Sequence, residues 1–425
     1  MPTGHPERRW EGSPAALILL LVLMAPGLFG CSLPFGDDDS PSDPPSALTG
    51  LEDDLGELLG TRARAVRTGN LTEFLDGVDS ARPKFLARQE RYFLNLRELP
   101  LGVFKYRLDG GVSTLPDGRV QGVVQLYMRL GGYDTRTVRR AALFTFRQLP
   151  SDEWVLSEDR NRMFEADNDI EAQPWDLMRI QVKEGNGVLG VFDEESIDAA
   201  YQIIDEIEDG ISMIRDEVPL TWSGRVVVYA LSDLRFLSGL ADLPGGDPDR
   251  LDGVAFPIRA SRESPRLAAI RFMLHPRMIY RNDETRSRLV RHELTHVAIG
   301  RRDDRVPTWL SEGLAEYVSV QPIVPYERMI SREALEAAQA GLDSLPRDRD
   351  FNGPSSGANY GIAWYACEYI SQAFGEQTLW RLFDAMRAGD GTREADQDTV
   401  LERVIGLDGE ELARLSSRKI VNTFG

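Results

Sequence analysis

The order of apolar and polar positions divides the chain into stretches of different period. Ala15-Ala16-Leu17-Ile18-Leu19-Leu20-Leu21-Val22-Leu23-Met24 is an unbroken apolar run, led by Arg8 and Arg9 and broken at Pro26-Gly27. It is short for a membrane-crossing helix and has the build of a signal-peptide core, so residues 1–30 are expected to be a targeting segment. Residues 31–50 reverse the character. Gly36-Asp37-Asp38-Asp39-Ser40-Pro41-Ser42-Asp43-Pro44-Pro45-Ser46 has too little apolar surface to order itself and reads as an acidic, Pro/Ser-rich tether.

A helical period then appears in Leu51, Leu55, Leu58 and Leu59, in Phe74, Leu75 and Val78, and over 85–96. It gives way to a period of two over 122–130 and 140–147, with a last short strand over 153–156. Asp117-Gly118 and Gly131-Gly132 supply the turns. Residues 51–170 are thus expected to form a small α+β domain, helices first and antiparallel strands after. A second unit covers 175–425. It opens on a helix over 196–218 with Ala199, Ile203, Ile207, Ile211 and Ile214 along one face, followed by strands at 225–231, 253–256 and 267–274. After residue 282 the helical period returns for most of the chain, and no solenoid-length repeat is visible. The expected class is α+β throughout, with a mostly helical C-terminal part.

Hydrophobic residues make up 42% and charged residues 28%, the proportions of a chain that buries a core. The formal charge of −19, with no basic stripe to offset it, argues against nucleic acid as a partner and against the folded body lying on an anionic membrane face. Two cysteines, Cys31 and Cys367, give no disulfide framework. Cys367, in Tyr365-Ala366-Cys367-Glu368-Tyr369, reads as a small core residue.

The candidate chemistry lies in Arg291-His292-Glu293-Leu294-Thr295-His296. Asn282 or Asp283 can cap a helix there, Leu289, Val290, Leu294, Val297 and Ile299 supply apolar positions, and Gly300 ends it. Histidines at i and i+4 are about 40° apart around a helix axis, so His292 and His296 face one point, as two ligands of a tetrahedral zinc ion must. Glu293 flanks that point, placed to hold a water and take its proton. Only four histidines exist in the chain, and two of them fall at this spacing around a glutamate. A third ligand is needed. Pro307-Thr308-Trp309-Leu310-Ser311-Glu312-Gly313-Leu314-Ala315-Glu316-Tyr317 reads as a second helix, returning antiparallel after a short connection, with Glu312 as the candidate. Glu316, one turn further on, is placed either to accept the free N–H of His292 or to face solvent.

The pair His-Glu-x-x-His and Trp-Leu-x-Glu-Gly-x-Ala-Glu-Tyr resembles the gluzincin metallopeptidases, the thermolysin and aminopeptidase N side of the peptidase MA-like group. The resemblance implies a thermolysin-like domain over 175–425 binding one Zn2+ through His292, His296 and Glu312, with Glu293 as general base. It also implies an oxyanion-stabilising tyrosine at the head of a later helix. Tyr360 holds that place by pattern, with Tyr365 as its rival. From the family, a peptide or protein substrate is expected to align on an edge strand near 267–274. One departure matters: where the aminopeptidases carry a Glu that grips the substrate amine, this chain has Gly253-Val254-Ala255-Phe256-Pro257, so endopeptidase action is favoured over aminopeptidase action.

Two further resemblances complete the expectations. Leu28-Phe29-Gly30-Cys31 is similar to a bacterial lipobox, Phe29 being bulkier than usual. It implies lipidation of Cys31 and anchoring on the extracytoplasmic side of a membrane, cell surface or periplasmic. Residues 51–170 are similar to the cone-shaped nuclear-transport-factor-two-like fold, with no ligand-spaced cluster and an accessory role expected. The competing functional readings are a catalytically silent lipoprotein that uses the fold as a binding or assembly module, and a hydrolase of non-peptide bonds.

Overall fold

The computed structural model describes residues 47–425 apart from 241–242, 244–246, 282 and 390–392. The signal segment, the lipidation site Cys31, the tether up to residue 46 and the alternative cap Asn282 lie outside the described residues. Ala47–Gly425 pack as one unit.

Three helices come first: α1 (Ala47–Thr68), α2 (Leu71–Asp76) and α3 (Pro83–Glu98). Helix α1 begins inside the stretch expected as tether, because Ala47 and Leu48 are good helix formers that follow the last proline. The side chain of Asn70 caps α2 by accepting from the Glu73 N–H, and Pro83 starts α3, where its missing N–H costs nothing. An antiparallel meander follows in the order β1 (Leu101–Thr114), β2 (Val120–Leu130), β3 (Val138–Gln148), β4 (Trp154–Glu158). Gly118 and Gly132 turn the chain at φ +82° and +86°, where only glycine is unstrained. No alternation in the sequence marks β1, so this strand is an addition to the expected elements.

Short helices α4 (Arg162–Asp167) and α5 (Pro174–Leu177) lead to a second sheet. Its elements are β5 (Gln181–Glu184), β6 (Val188–Phe192), α6 (Ala200–Glu217), β7 (Val226–Ala230), β8 (Gly253–Arg259) and β9 (Leu267–Leu274). Spatial order is β5-β6-β7-β9-β8, with β6, β7 and β9 mutually parallel and antiparallel strands β5 and β8 outermost. Strands β6 and β7 are buried along their whole length, as strands covered on both faces must be. One face carries Val188, Phe192, Val226, Val228 and Phe272 against α6 and the later helices. The other carries Leu189, Val191, Val227, Tyr229 and Met273 in one cluster with Leu55, Phe74, Phe93 and Phe146 of the preceding layer. Buried Arg271 crosses between the sheets, 2.7 Å from Asp134 and 2.6 Å from the Tyr229 hydroxyl.

This order corrects one expectation. Residues 267–274 form β9, which pairs with β8 along its length and with β7 over 272–274, and the outermost strand is β8. Pro257 is consistent with that, since a strand proline has no N–H to give to a ladder.

The remainder is helical: α7 (Pro276–Ile279), α8 (Glu284–Ile299), α9 (Thr308–Ser319), α10 (Arg332–Ala340), α11 (Ser356–Phe374), α12 (Glu376–Ala388), α13 (Glu394–Ile405) and α14 (Gly409–Phe424). The fold is thus mixed α+β, with an antiparallel sheet first and a mostly helical C-terminal part. Among the described residues no helix is long and apolar enough to cross a membrane.

Candidate metal centre

Helix α8 is fixed at both ends by the residues the sequence offered. The Asp283 side chain accepts from the Thr285 N–H, a cap worth about 1 kcal/mol. Gly300, at φ +60°, closes the helix by donating to the His296 carbonyl. One side of α8 packs Val290 and Leu294 against α6, whose Gly210 permits the approach: a Cβ there would lie 2.6 Å from Leu294 Cδ1. His292 and His296 are thereby held on the other side, facing α9. A short 3-10 turn, Gly300–Asp303, then reverses the chain into α9. Helix α9 crosses α11 at Gly313, where a Cβ would lie 2.6 Å from the Ala363 carbonyl carbon and 3.0 Å from Cys367 Sγ. That crossing sets where Glu312, the preceding residue, can stand.

The three expected ligands converge. His292 Nε2 and His296 Nε2 are 3.3 Å apart, and Glu312 Oε2 is 3.2 Å from the first and 3.4 Å from the second. Three lone-pair-bearing atoms aimed at one another in a buried pocket repel unless a proton or a cation lies between them. Metal–ligand bonds of about 2.0–2.1 Å at tetrahedral angles put neighbouring ligand atoms roughly 3.3–3.4 Å apart, which is the size of this triangle. Glu312 Oε2 is buried and finds no hydrogen bond of acceptable angle, although both rings are close. The donor set and its spacing therefore suit one zinc ion.

The other face of each imidazole meets a carboxylate. His292 Nδ1 lies 3.2 Å from Glu316 Oε1, at ion-pair distance though off the hydrogen-bond line. Glu316 also pairs with Arg288, whose guanidinium sits 4.9 Å from the Trp364 ring centre. His296 Nδ1 lies 3.4 Å from Asp303 Oδ2. Asp303 was not anticipated: it sits past the helix-ending Gly300, outside any helical spacing from His296.

Glu293 is buried and turned toward β8, with its carboxylate beside Gly253. Gly253 leaves room for it, since a Cβ there would come within 3.0 Å of Glu293 Oε1. Tyr360, on α11, stacks its ring centre 6.1 Å from that of His292, and its hydroxyl lies 3.3 Å from Asn352 Oδ1. Tyr365 points elsewhere, packing on Trp364 and Phe424. Gly253, Ala255, Pro257, Glu293, Glu312 and Tyr360 line one open cleft.

Burial and charge shape the protonation of this cluster. Burial opposes a charge on His292, but the Glu312 and Glu316 carboxylates outweigh it and push the imidazole up to about 9. His296 is raised well above its ordinary value against the same burial penalty, by Glu312 and Asp303. Burial alone would raise Glu312 and Glu316, yet the imidazoles around the first and Arg288 beside the second hold both far below the usual carboxylate range. Glu293 is raised, chiefly by burial. Burial, reinforced by the Glu312 charge, keeps the Tyr360 phenol protonated far above neutrality.

In comparisons with known proteins, no family model matches the chain and neither does any curated protein.

Proposed function

We propose that the chain is a zinc-dependent peptidase of the gluzincin type, with a thermolysin-like catalytic domain, held outside the cytoplasm by acyl chains on Cys31. The observation that carries the reading is the triangle of His292, His296 and Glu312, with Glu293 and Tyr360 on the same cleft. A zinc ion held by those three residues supplies, when bound, a Lewis acid that makes water a competent nucleophile near neutral pH.

The chain's own groups do the rest. Glu293 takes the proton from the attacking water and returns it to the departing amine, and its burial raises its proton affinity toward what that shuttle needs. Tyr360, kept protonated, donates to the oxygen that gains charge as the carbonyl is attacked. Glu316 and Asp303 orient the imidazoles from behind. The strand facing the cleft, Gly253-Val254-Ala255-Phe256-Pro257, has no carboxylate to hold a free amine, which favours cleavage within a peptide.

The test is metal analysis of the full-length protein together with cleavage of a proteome-derived peptide library, wild type beside Glu293→Gln. Both proteins should carry one equivalent of zinc, and only the wild type should cut. Zinc-loaded proteins that are equally inert would make the chain a binding module instead. Turnover of ester or amide panels without peptide cleavage would redirect the substrate class.

A further inference from the structure

We propose that Pro257 limits how much of a peptide this cleft grips, so that the favoured substrates are short peptides or exposed tails rather than long extended segments. This rests on the peptidase reading. Strand β8 is outermost and its free side faces the cleft. In an antiparallel strand, the N–H and C=O of one residue point to the same side, and successive residues alternate. The His275 N–H donates to the Asp252 carbonyl at the head of the β8–β9 pair, and the register runs unshifted from Gly253 to Ile258. By alternation Val254, Phe256 and Ile258 therefore bond to β9, while Gly253, Ala255 and Pro257 present their backbone groups to the free side.

That free row has three carbonyls but only two N–H groups, because proline has none. A peptide that extends the sheet exchanges two hydrogen bonds opposite Gly253 or Ala255 and one opposite Pro257. A second observation ends the ladder at the same place. The register of β8 shifts between Ile258 and Arg259, so regular pairing does not continue beyond. The usable edge is therefore residues 253–257, and its catalytic end is the one at Glu293. A peptide lengthened past Pro257 gains little.

The experiment is a series of fluorogenic peptides sharing one cleavage site and lengthened by two residues at a time on either side. The substrates are given to the wild type and to Pro257→Ala, with size-exclusion chromatography of both proteins. For the wild type, kcat/KM should reach a plateau in one direction. Pro257→Ala should raise the last gain before that plateau by roughly five-fold, through KM with kcat unchanged, the worth of one added hydrogen bond. A wild-type profile that keeps climbing in both directions overturns the proposal whether or not the variant folds. A variant profile identical to wild type does the same, as does a variant changed only by self-association, which would make the proline a guard against edge-to-edge pairing. If the wild type cuts no member of the series, the peptidase reading falls and takes this inference with it. If it cuts with unaltered length dependence in Pro257→Ala, only this inference falls.

Discussion

Replacing Gly313 with alanine sets two effects of opposite sign against each other at one atom. Alanine in place of glycine within a helix is favourable by about 1 kcal/mol from backbone entropy alone. At Gly313, however, the new Cβ would stand 2.6 Å from the Ala363 carbonyl carbon and 3.0 Å from Cys367 Sγ. Non-bonded carbon contacts settle at about 3.5 Å or more, so α9 and α11 would have to part by roughly 1 Å. Overpacking of that kind costs typically 1–3 kcal/mol, enough to reverse the sign. Glu312 moves with α9, and its 3.2 and 3.4 Å separations from the two imidazoles are too short to absorb such a shift. Gly313→Ala should therefore melt at a lower temperature than wild type and lose at least about ten-fold in zinc affinity by chelator competition. Gly60→Ala is the control. It lies in α1, exposed, with nothing within 4 Å of its added Cβ, so the same substitution should stabilise by about 0.5–1 kcal/mol. Equal stabilisation by both changes, or full zinc affinity in Gly313→Ala, would refute the reasoning.

Other outcomes follow from the same contacts. In the metal-free protein the surrounding carboxylates raise the proton affinity of both His292 and His296, whereas zinc ligation needs both rings neutral, so binding should expel protons. Calorimetry in buffers of different ionisation enthalpy should report net proton release at pH 7, with affinity weakening as pH falls. Glu316→Gln should keep the fold but lower zinc affinity roughly ten- to a hundred-fold by loosening the His292 ring, read by the same chelator competition. Asp79 is paired with Arg147 at 2.5 Å and its carboxyl is depressed, first by that hydrogen-bonded guanidinium. A depressed acid stabilises above its unfolded value near 3.8 and loses that contribution as pH drops through the lower folded value. Urea midpoints of wild type and Asp79→Asn should thus differ most near pH 6–7 and converge on acidification below pH 4; a constant gap would exclude the ion pair as its cause.

The histidine pair was legible because helix geometry maps sequence spacing directly onto space: histidines at i, i+4, a capping Asp283 and a stopping Gly300 are local facts. Glu312 was a candidate because a short connection lets a second helix return on the first, and the family resemblance then singled it out as the third ligand. Asp303 was invisible because a positive-φ glycine intervenes and resets the direction of the chain. Strand β1 escaped notice for a different reason. Its Lys105, Arg107 and Asp109-Gly110-Gly111 interrupt the alternation, and pairing with β2 rather than burial holds it. The edge strand was misplaced although the signals were present. The run of buried Phe272, Met273 and Leu274 in β9 is the pattern of a strand sheltered on both sides, and the exposed Pro257 is that of a boundary.

The shared core behind the second sheet bears on how this chain can be cut. Val254 and Phe256, on the strand that fronts the cleft, are buried on the far side among Leu55, Phe74 and Phe146, and Arg271 ends on Asp134 of the meander. A fragment beginning near residue 175 would strip that wall away. It would leave Arg271 without its carboxylate partner on a bare apolar sheet face, and nothing would brace β8 from behind. The helical half carries the histidine–glutamate cluster, but the preceding layer is the anvil behind it, and a shortened chain should emerge insoluble.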